Sequence, residues 1–330
     1  MIATNIASVA TLLIANFLAT GINYKSSYVH YAVVSEWVNA LDCARHLNRP
    51  DLEADLLALY PTAKAKFQRY HHVDHDIVGA LAFACNDPTT GLSYADEQWS
   101  TIPCTCPATW HVGAPSPEMQ RESAAAGLSP ETRYWIDDTY MISFLQIRAY
   151  EATHDPKYVR RAAHQTAAYI TKLQREDGLY THSDFTPLVW GRGDGWMAAS
   201  MAILLPYKDI IDPADYAVIR TGYDKMMATL IKLQRPSGLW GQLVDDPESW
   251  DETSCSAMFA YALAVGGHRA PALKAWSALC SQLTEKGKLR DVCVGTGASI
   301  DREFYLKRPR AVGDPHGQAP MLWLAKELMK

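Results

Sequence analysis

Two carboxylate sites carry the residue types that general acid catalysis requires. The first is Trp135-Ile136-Asp137-Asp138-Thr139-Tyr140-Met141, in which adjacent acids head an apolar run. Locally they read as an N-cap carboxylate and a first-turn charge on a helix. As chemistry, Asp137 reads as a general acid whose neighbour Trp135 withdraws it from water and favours the protonated form. The second site is His71-His72-Val73-Asp74-His75-Asp76. Asp76 directly precedes the apolar stretch Ile77 to Ala84, so it is expected where a helix emerges at a cavity rim. A like charge there would also help keep a proton on Asp137. Two other readings stay open for this cluster. It is a solvated helix start, or His71 and His75, four apart, share a helix face as metal ligands, although no H-E-x-x-H glutamate accompanies them. Cys104-Thr-Cys106 with His111 likewise falls short of a tetrahedral ligand set.

A third constellation is Trp190-Gly191-Arg192-Gly193-Asp194-Gly195-Trp196, with His182 on the connection before it. Arg192 suits a planar carboxylate, Trp196 suits a sugar face, and the glycines let backbone approach a ligand. It is not a dinucleotide fingerprint, because Trp196 replaces the last glycine and no strand is expected before it. Neither a G-x-S-x-G elbow nor a Walker loop occurs. The residues together mark a site for an anionic sugar.

The elements that must hold these residues are helices. Val159, Ala163, Thr166, Ile170 and Leu173 recur at helical spacing, as do Tyr216, Ile219, Tyr223, Met226, Leu230 and Leu233. Both runs open on Asp-Pro and close on Leu-Gln-Arg followed by Gly-Leu-Tyr or Gly-Leu-Trp, at an interval of 60 residues. Such a unit holds one helical hairpin, and 330 residues accommodate about six. Further helices are expected at 4–19, 34–47, 76–85, 137–152, 194–205, 252–265, 270–284 and 317–329. An apolar first helix makes a poor polar cap for an open solenoid, so closure is expected: an all-α (α/α)6 barrel over residues 1–330, with inner helices lining a funnel. Trp99 to Pro130, with five prolines and no apolar period, reads as a binding loop that carries Trp99 and Trp110 near the cleft.

Composition narrows the partners. The net charge of −5 argues against nucleic acid or an anionic membrane surface. The 17 Tyr and 10 Trp against 7 Phe suit a wet concave surface. Residues Met1 to Tyr24 lack the positive start of a signal peptide, and Val9 to Leu18 is too short to span a bilayer, so a packed first helix is expected. Seven scattered cysteines favour reduced thiols and a cytoplasmic setting.

The three strings Trp135 to Met141, Trp190 to Trp196 and Glu252-Thr253-Ser254-Cys255-Ser256-Ala257-Met258-Phe259 resemble the hallmarks of the unsaturated uronyl hydrolases, glycoside hydrolase families 105 and 88. The resemblance runs from about Asp76 to His316-Gly317-Gln318-Ala319-Pro320. It implies an (α/α)6 barrel and a substrate left by a polysaccharide lyase, ending in a 4,5-unsaturated uronic acid. It implies no cofactor and no metal, and a monomer or weak homo-oligomer. The implied reaction hydrates the C4=C5 enol ether: a carboxylic acid protonates C4, water adds at C5, and the hemiketal opens to release the remaining sugar. On this mapping Asp137 is the acid/base and Asp76 the second carboxylate, while His182, Arg192 and Trp196 contact substrate; Trp135, beside the acid, is a further candidate for substrate binding. Asp194 stands where the family usually has Asn, adding a negative charge near an anionic ligand. Residues 1–75 and the Trp99–Pro130 loop match least. A sugar epimerase on the same toroid and a non-catalytic glycan-binding barrel are the alternative readings.

Overall fold

The computed structural model describes residues 5–20, 27–101, 105 and 115–330, and Trp110, Cys104, Cys106 and His111 lie outside them. The described residues form α1 (Ile6–Thr20), α2 (Tyr31–His46), α3 (Pro50–Ala58), α4 (Tyr60–Lys64), α5 (Val73–Asp76), α6 (Val78–Ala84), α7 (Pro88–Glu97) and α8 (Pro117–Ala125). There follow α9 (Asp138–Thr153), α10 (Pro156–Leu173), α11 (Gly191–Leu204), α12 (Pro213–Leu233), α13 (Thr253–Val265), α14 (Arg269–Ser281), α15 (Arg302–Leu306) and α16 (Pro315–Leu328). Among the described residues, strands are confined to two small antiparallel pairs. In one, Trp240 of β1 (Trp240–Gly241) faces Glu252 of β2 (Asp251–Glu252). In the other, Val292 of β3 (Val292–Cys293) faces Ala311 of β4 (Arg310–Ala311).

Six helices form a closed inner ring in the order α2, α6, α9, α11, α13, α16 and back to α2. Each packs an outer partner: α3, α7, α10, α12, α14 and, behind α16, α1. The inner helices are buried almost all round, as the apolar residues of α11 and α13 require. The outer α10 buries the stripe of Val159, Ala163, Thr166, Ile170 and Leu173 together with the neighbours that widen it, among them Ala162 and Tyr169, and leaves its other face to solvent. Asp155 and Asp212 cap α10 and α12 with proline at the first helical position, as their sequence predicts. Asp87-Pro88 and Asp314-Pro315 start α7 and α16 in the same way.

One lock recurs between hairpins. Gln174 donates to the carbonyls of Gly178 (3.1 Å) and Gly222 (3.0 Å), and Gln234 donates likewise to Gly238 (2.9 Å) and Pro271 (3.0 Å). Beyond these turns, the backbone N–H of Tyr180 donates to Asp194 (3.0 Å), that of Trp240 to Ser256 (2.9 Å) and that of Leu289 to Gln318 (2.8 Å). Each acceptor is the fourth residue of an inner helix. These bonds tie the entry of each inner helix to the turn before it.

The glycines of α11 serve packing. A Cβ on Gly191 would lie 2.8 Å from the Gly241 carbonyl and from Cys255 Sγ, and one on Gly193 would lie 2.7 Å from Ile136 Cγ2. They let α11 approach its neighbours closely, where the sequence suggested ligand approach. Gly191→Ala is expected to cost about 1–3 kcal/mol by overpacking, read as a lower midpoint in urea.

Two sequence expectations need correction. The Trp99–Pro130 stretch holds α8, capped by Ser116, and Trp99 turns to the outer surface, where Arg161 lies 4.9 Å from its ring. His71 precedes α5 with φ +53°, so it shares no helix face with His75. No cluster of three metal-ligating side chains occurs among the described residues.

Candidate active site

The first turns of α2, α9, α11, α13 and α16 meet at one end of the ring. Tyr31 at the start of α2 touches His316 at the start of α16 (2.7 Å), and Arg192 at the start of α11 reaches Ser254 at the start of α13 (3.4 Å). Asp137 occupies the N-cap position of α9 yet makes no capping bond with its side chain. Its carboxylate is free for other work.

Asp137 Oδ2 lies 3.3 Å from His182 Nε2. His182 is buried, and its Nδ1 lies 2.7 Å from the Tyr305 hydroxyl. That hydroxyl oxygen already accepts the Ser299 N–H at 3.0 Å. Burial pushes the Tyr305 phenol up to about 12, so it keeps its proton and donates it to Nδ1. His182 Nε2 and Asp137 Oδ2 are close but outside hydrogen-bond geometry, and neither buried atom has another hydrogen-bond partner among the described residues. Trp135 packs edge-on against His182, ring centroids 5.3 Å apart, and so helps fix the imidazole plane.

Asp138 has a different task. It is fully buried and takes two bonds from Arg133, Nε and Nη2 each 2.9 Å from a carboxylate oxygen. Burial raises its affinity for protons, and the Arg133 guanidinium pulls it back. This pair anchors the entry to α9, so adjacent acids split into an anchor and a free carboxyl.

Arg192 is buried and donates to the carbonyls of Cys293 and Val294 (2.9 Å to the latter), with its guanidinium 4.6 Å from the Trp190 ring. Its Nε has no hydrogen-bond acceptor. The carbonyls that receive it are held in place by Glu252, which accepts N–H bonds from Ser254 (3.1 Å), Cys255 (2.6 Å) and Cys293 (2.8 Å). Trp196 is wholly buried with ring contacts to Tyr140 at 4.8 Å and Trp323 at 5.7 Å, and an edge contact to Tyr31 at 6.3 Å.

Asp76 closes α5, which packs on α9, and is wholly buried. Burial pushes its carboxyl up to about 7, and Glu131, Glu97 and Arg69 are the groups that act on it most. Asp74 of the same turn is the acid whose charge is felt at Tyr31, Arg133 and Asp138. The sequence reading singles out Asp76 and assigns no role to Asp74 in the same short turn.

Asp194 Oδ1 accepts the Tyr180 N–H, and burial raises the carboxyl well above its ordinary range. It is the repeat lock of α11. Asp194→Asn keeps the acceptor and is expected to change stability by less than about 1 kcal/mol and to leave turnover within twofold, checked by melting and by rate.

Sequence reasoning missed Tyr31, Tyr305 and Asp314. Their partners lie more than 100 positions away, except that Asp314-x-His316 is local and was readable as an Asp-Pro helix start.

The model for Glycosyl Hydrolase Family 88 matches residues 119–330. The unsaturated rhamnogalacturonyl hydrolase YesR of Bacillus subtilis is 28% identical over 218 residues, covering 63% of this chain and 63% of that protein. The unsaturated 3S-rhamnoglycuronyl hydrolase of Formosa agariphila is 34% identical over 117 residues, covering 31% of this chain and 30% of that protein. The chain thus spans less than two thirds of the length of these relatives. Among solved structures, a possible member of the GH105 family from Salmonella enterica superposes with a TM-score of 0.77 at 20% identity, covering 100% of this chain and 95% of that one. The unsaturated glucuronyl hydrolase of Bacillus sp. GL1 gives 0.68 at 16% identity, covering 99% and 96%. These superpositions establish the α/α toroid. With a family model matched over more than half its length, the chain belongs to glycosyl hydrolase family 88.

Proposed function

We propose that the protein removes a 4,5-unsaturated uronic acid from the non-reducing end of oligosaccharides produced by polysaccharide lyases. The observation that carries this reading is the approach of His182, held by Tyr305, to within 3.3 Å of the Asp137 carboxyl at the start of α9. The Asp137 carboxyl supplies the proton that goes to C4, with His182 lying beside Oδ2. A slight closing of that 3.3 Å approach as negative charge develops would give the carboxylate a hydrogen bond where it lowers the barrier. Water then adds at C5, and the hemiketal opens without displacement at the anomeric carbon, so the carboxyl-separation rule of ordinary glycosidases does not apply.

Within this proposal Asp76 is the second carboxylate. Its burial favours the neutral form, and it acts from behind α9. Arg192 and Trp196 shape the wall that receives the uronate, and Trp135 holds His182. The match of family relatives that act on unsaturated rhamnogalacturonyl and rhamnoglycuronyl substrates supports an anionic oligosaccharide as the partner. Residues 1–330 act as one catalytic domain. Cys43, Cys85, Cys255, Cys280 and Cys293 are free thiols, which supports a cytoplasmic setting. No helix among the described residues is long and apolar enough to cross a membrane.

The test is incubation with a panel of lyase-generated oligosaccharides from pectin, ulvan and glycosaminoglycans, following the ultraviolet absorbance of the conjugated enol-ether acid. Loss of absorbance on at least one class is expected, and persistence on all of them would sink the proposal. An epimerase reading draws on His182 and His316, two histidines at the same end of the ring. Both Nε2 atoms face side chains of the protein itself, Asp137 and Tyr31, which disfavours it.

A further inference from the structure

A second hydrogen-bonded chain lies at the same end of the ring. Asp314 caps α16, accepting the His316 N–H at 3.0 Å, and its Oδ1 also lies 2.6 Å from His316 Nδ1. His316 Nε2 lies 2.7 Å from the Tyr31 hydroxyl. Asp314 and His316 are both buried. The capping bond fixes Asp314, and Asp314 fixes the imidazole with Nδ1–H toward the carboxylate. The Nε2 lone pair then faces the Tyr31 O–H. This is the carboxylate, imidazole and hydroxyl order by which a buried acid makes a hydroxyl oxygen basic on demand.

The hydroxyl end of this chain faces the reaction cavity. The charges of Asp74, Asp137 and Arg192 act on Tyr31, and its ring meets Trp196 edge-on. Burial holds the phenol well above its ordinary range, so in the resting protein it carries its proton. Asp137 is the proton donor of the proposed reaction, and the Tyr31 hydroxyl is backed by a group able to take a proton. Hydration of an enol ether needs both, because C4 gains a proton and the water that adds at C5 must lose one.

We propose that Tyr31, backed by His316 and Asp314, takes the proton from the water that adds at C5, an assignment that rests on the hydrolase reading above. The water O–H bond breaks as the C5–O bond forms. Its proton passes to the Tyr31 oxygen while the Tyr31 proton passes to His316 Nε2, and the resulting imidazolium is balanced by the Asp314 carboxylate. When the hemiketal has opened, the stored proton leaves through Tyr31 to solvent, and Asp137 regains one from solvent. No oxidant, reductant or further reactant is consumed.

The experiment measures kcat, KM and the solvent-deuterium proton inventory on the unsaturated oligosaccharide that the wild type turns over best. Tyr31→Phe, Asp314→Asn and the double variant are compared, with a melting curve for each. Tyr31→Phe is expected to lower kcat about 100-fold with KM within threefold, the usual size of one general-base contribution. Asp314→Asn is expected to lower kcat about 10-fold in the wild type and not at all in the Tyr31→Phe background, because it acts through Tyr31. The proton inventory should be curved in the wild type, where two protons move in the relay, and linear in Tyr31→Phe. If Tyr31→Phe melts as an unfolded chain, His316→Gln takes its place in the same cycle. A Tyr31→Phe variant retaining more than half of kcat overturns the relay and returns the base role to Asp137. Equal losses from Asp314→Asn in both backgrounds overturn it too, since they mark a structural part only. A wild type silent on every unsaturated substrate overturns the hydrolase reading and this inference with it, an outcome distinct from an active wild type with an active Tyr31→Phe.

Discussion

Asp137→Asn is expected to lower the rate of absorbance loss by about 10²–10⁴-fold while leaving oligosaccharide binding within about threefold, because the amide keeps the shape and has no proton to give. The measurement is kcat beside a direct binding isotherm for the same substrate. Asp137 makes no capping bond, so its replacement should not shift the melting temperature by more than a degree or two. A variant that binds normally, with a wild type that also never turns the sugar over, would instead favour a glycan-binding barrel. The pH profile gives an independent check. The acid must be protonated when substrate arrives, so turnover should fall on the alkaline side, and a rate that climbs steadily with pH would contradict the role.

Asp42→Ala should produce the largest loss of stability among single substitutions far from the site. Asp42 is buried near the far ends of α2, α9 and α16, where Arg148 (2.5 Å) and Lys326 (2.7 Å) both reach it. Those two cations also line a cavity of about 350 Å³ at that end. Removing the acid leaves them without their shared partner, a change worth about 3–5 kcal/mol and about 4–7 °C in melting temperature for a chain of this size. The pH dependence carries a definite sign. Burial alone would raise Asp42, but Arg148 and Lys326 outweigh it and hold the carboxyl at about 2 against an ordinary 3.8. The native state thus binds fewer protons than the unfolded state between these values. Its contribution of about 2.5 kcal/mol is present above pH 4 and lost as pH falls toward 2. Acid unfolding of Asp42→Ala should therefore lose part of its steepness in that window. An unchanged midpoint at both neutral and acid pH would refute the assignment.

Much of the architecture was legible because it repeats. The 60-residue interval between Leu173-Gln174-Arg175 and Leu233-Gln234-Arg235 is the spacing of one hairpin, and the Asp155-Pro156 and Asp212-Pro213 starts mark where the outer α10 and α12 begin. A third copy of the lock, Leu289 to Gln318, was not legible, since its residues have diverged while the backbone bond persists. Asp137, His182, Arg192 and Trp196 were named from their strings, and the structure brings all four to one end of the ring. Their orientation could not be read in advance. Arg192 and Trp196 are buried among carbonyls and rings, and Asp194 points away from the cavity, because each is set by partners distant in sequence. Tyr31 is the clearest example. Nothing in its local sequence indicates an imidazole 285 positions later.

That separation bears on how the protein is made. The ring closes where α16 packs against α2, and the hydroxyl of Tyr31 meets its imidazole only there. At about 5–20 residues per second, a ribosome needs roughly 15–60 s to advance 285 positions. Through that interval the seam of α2 that α16 will cover stays open, and Cys43 waits for its bond to the Leu322 carbonyl. Until α16 docks, the Tyr31–His316 contact is unmade, and chains arrested earlier carry an uncovered apolar edge for chaperones to shield.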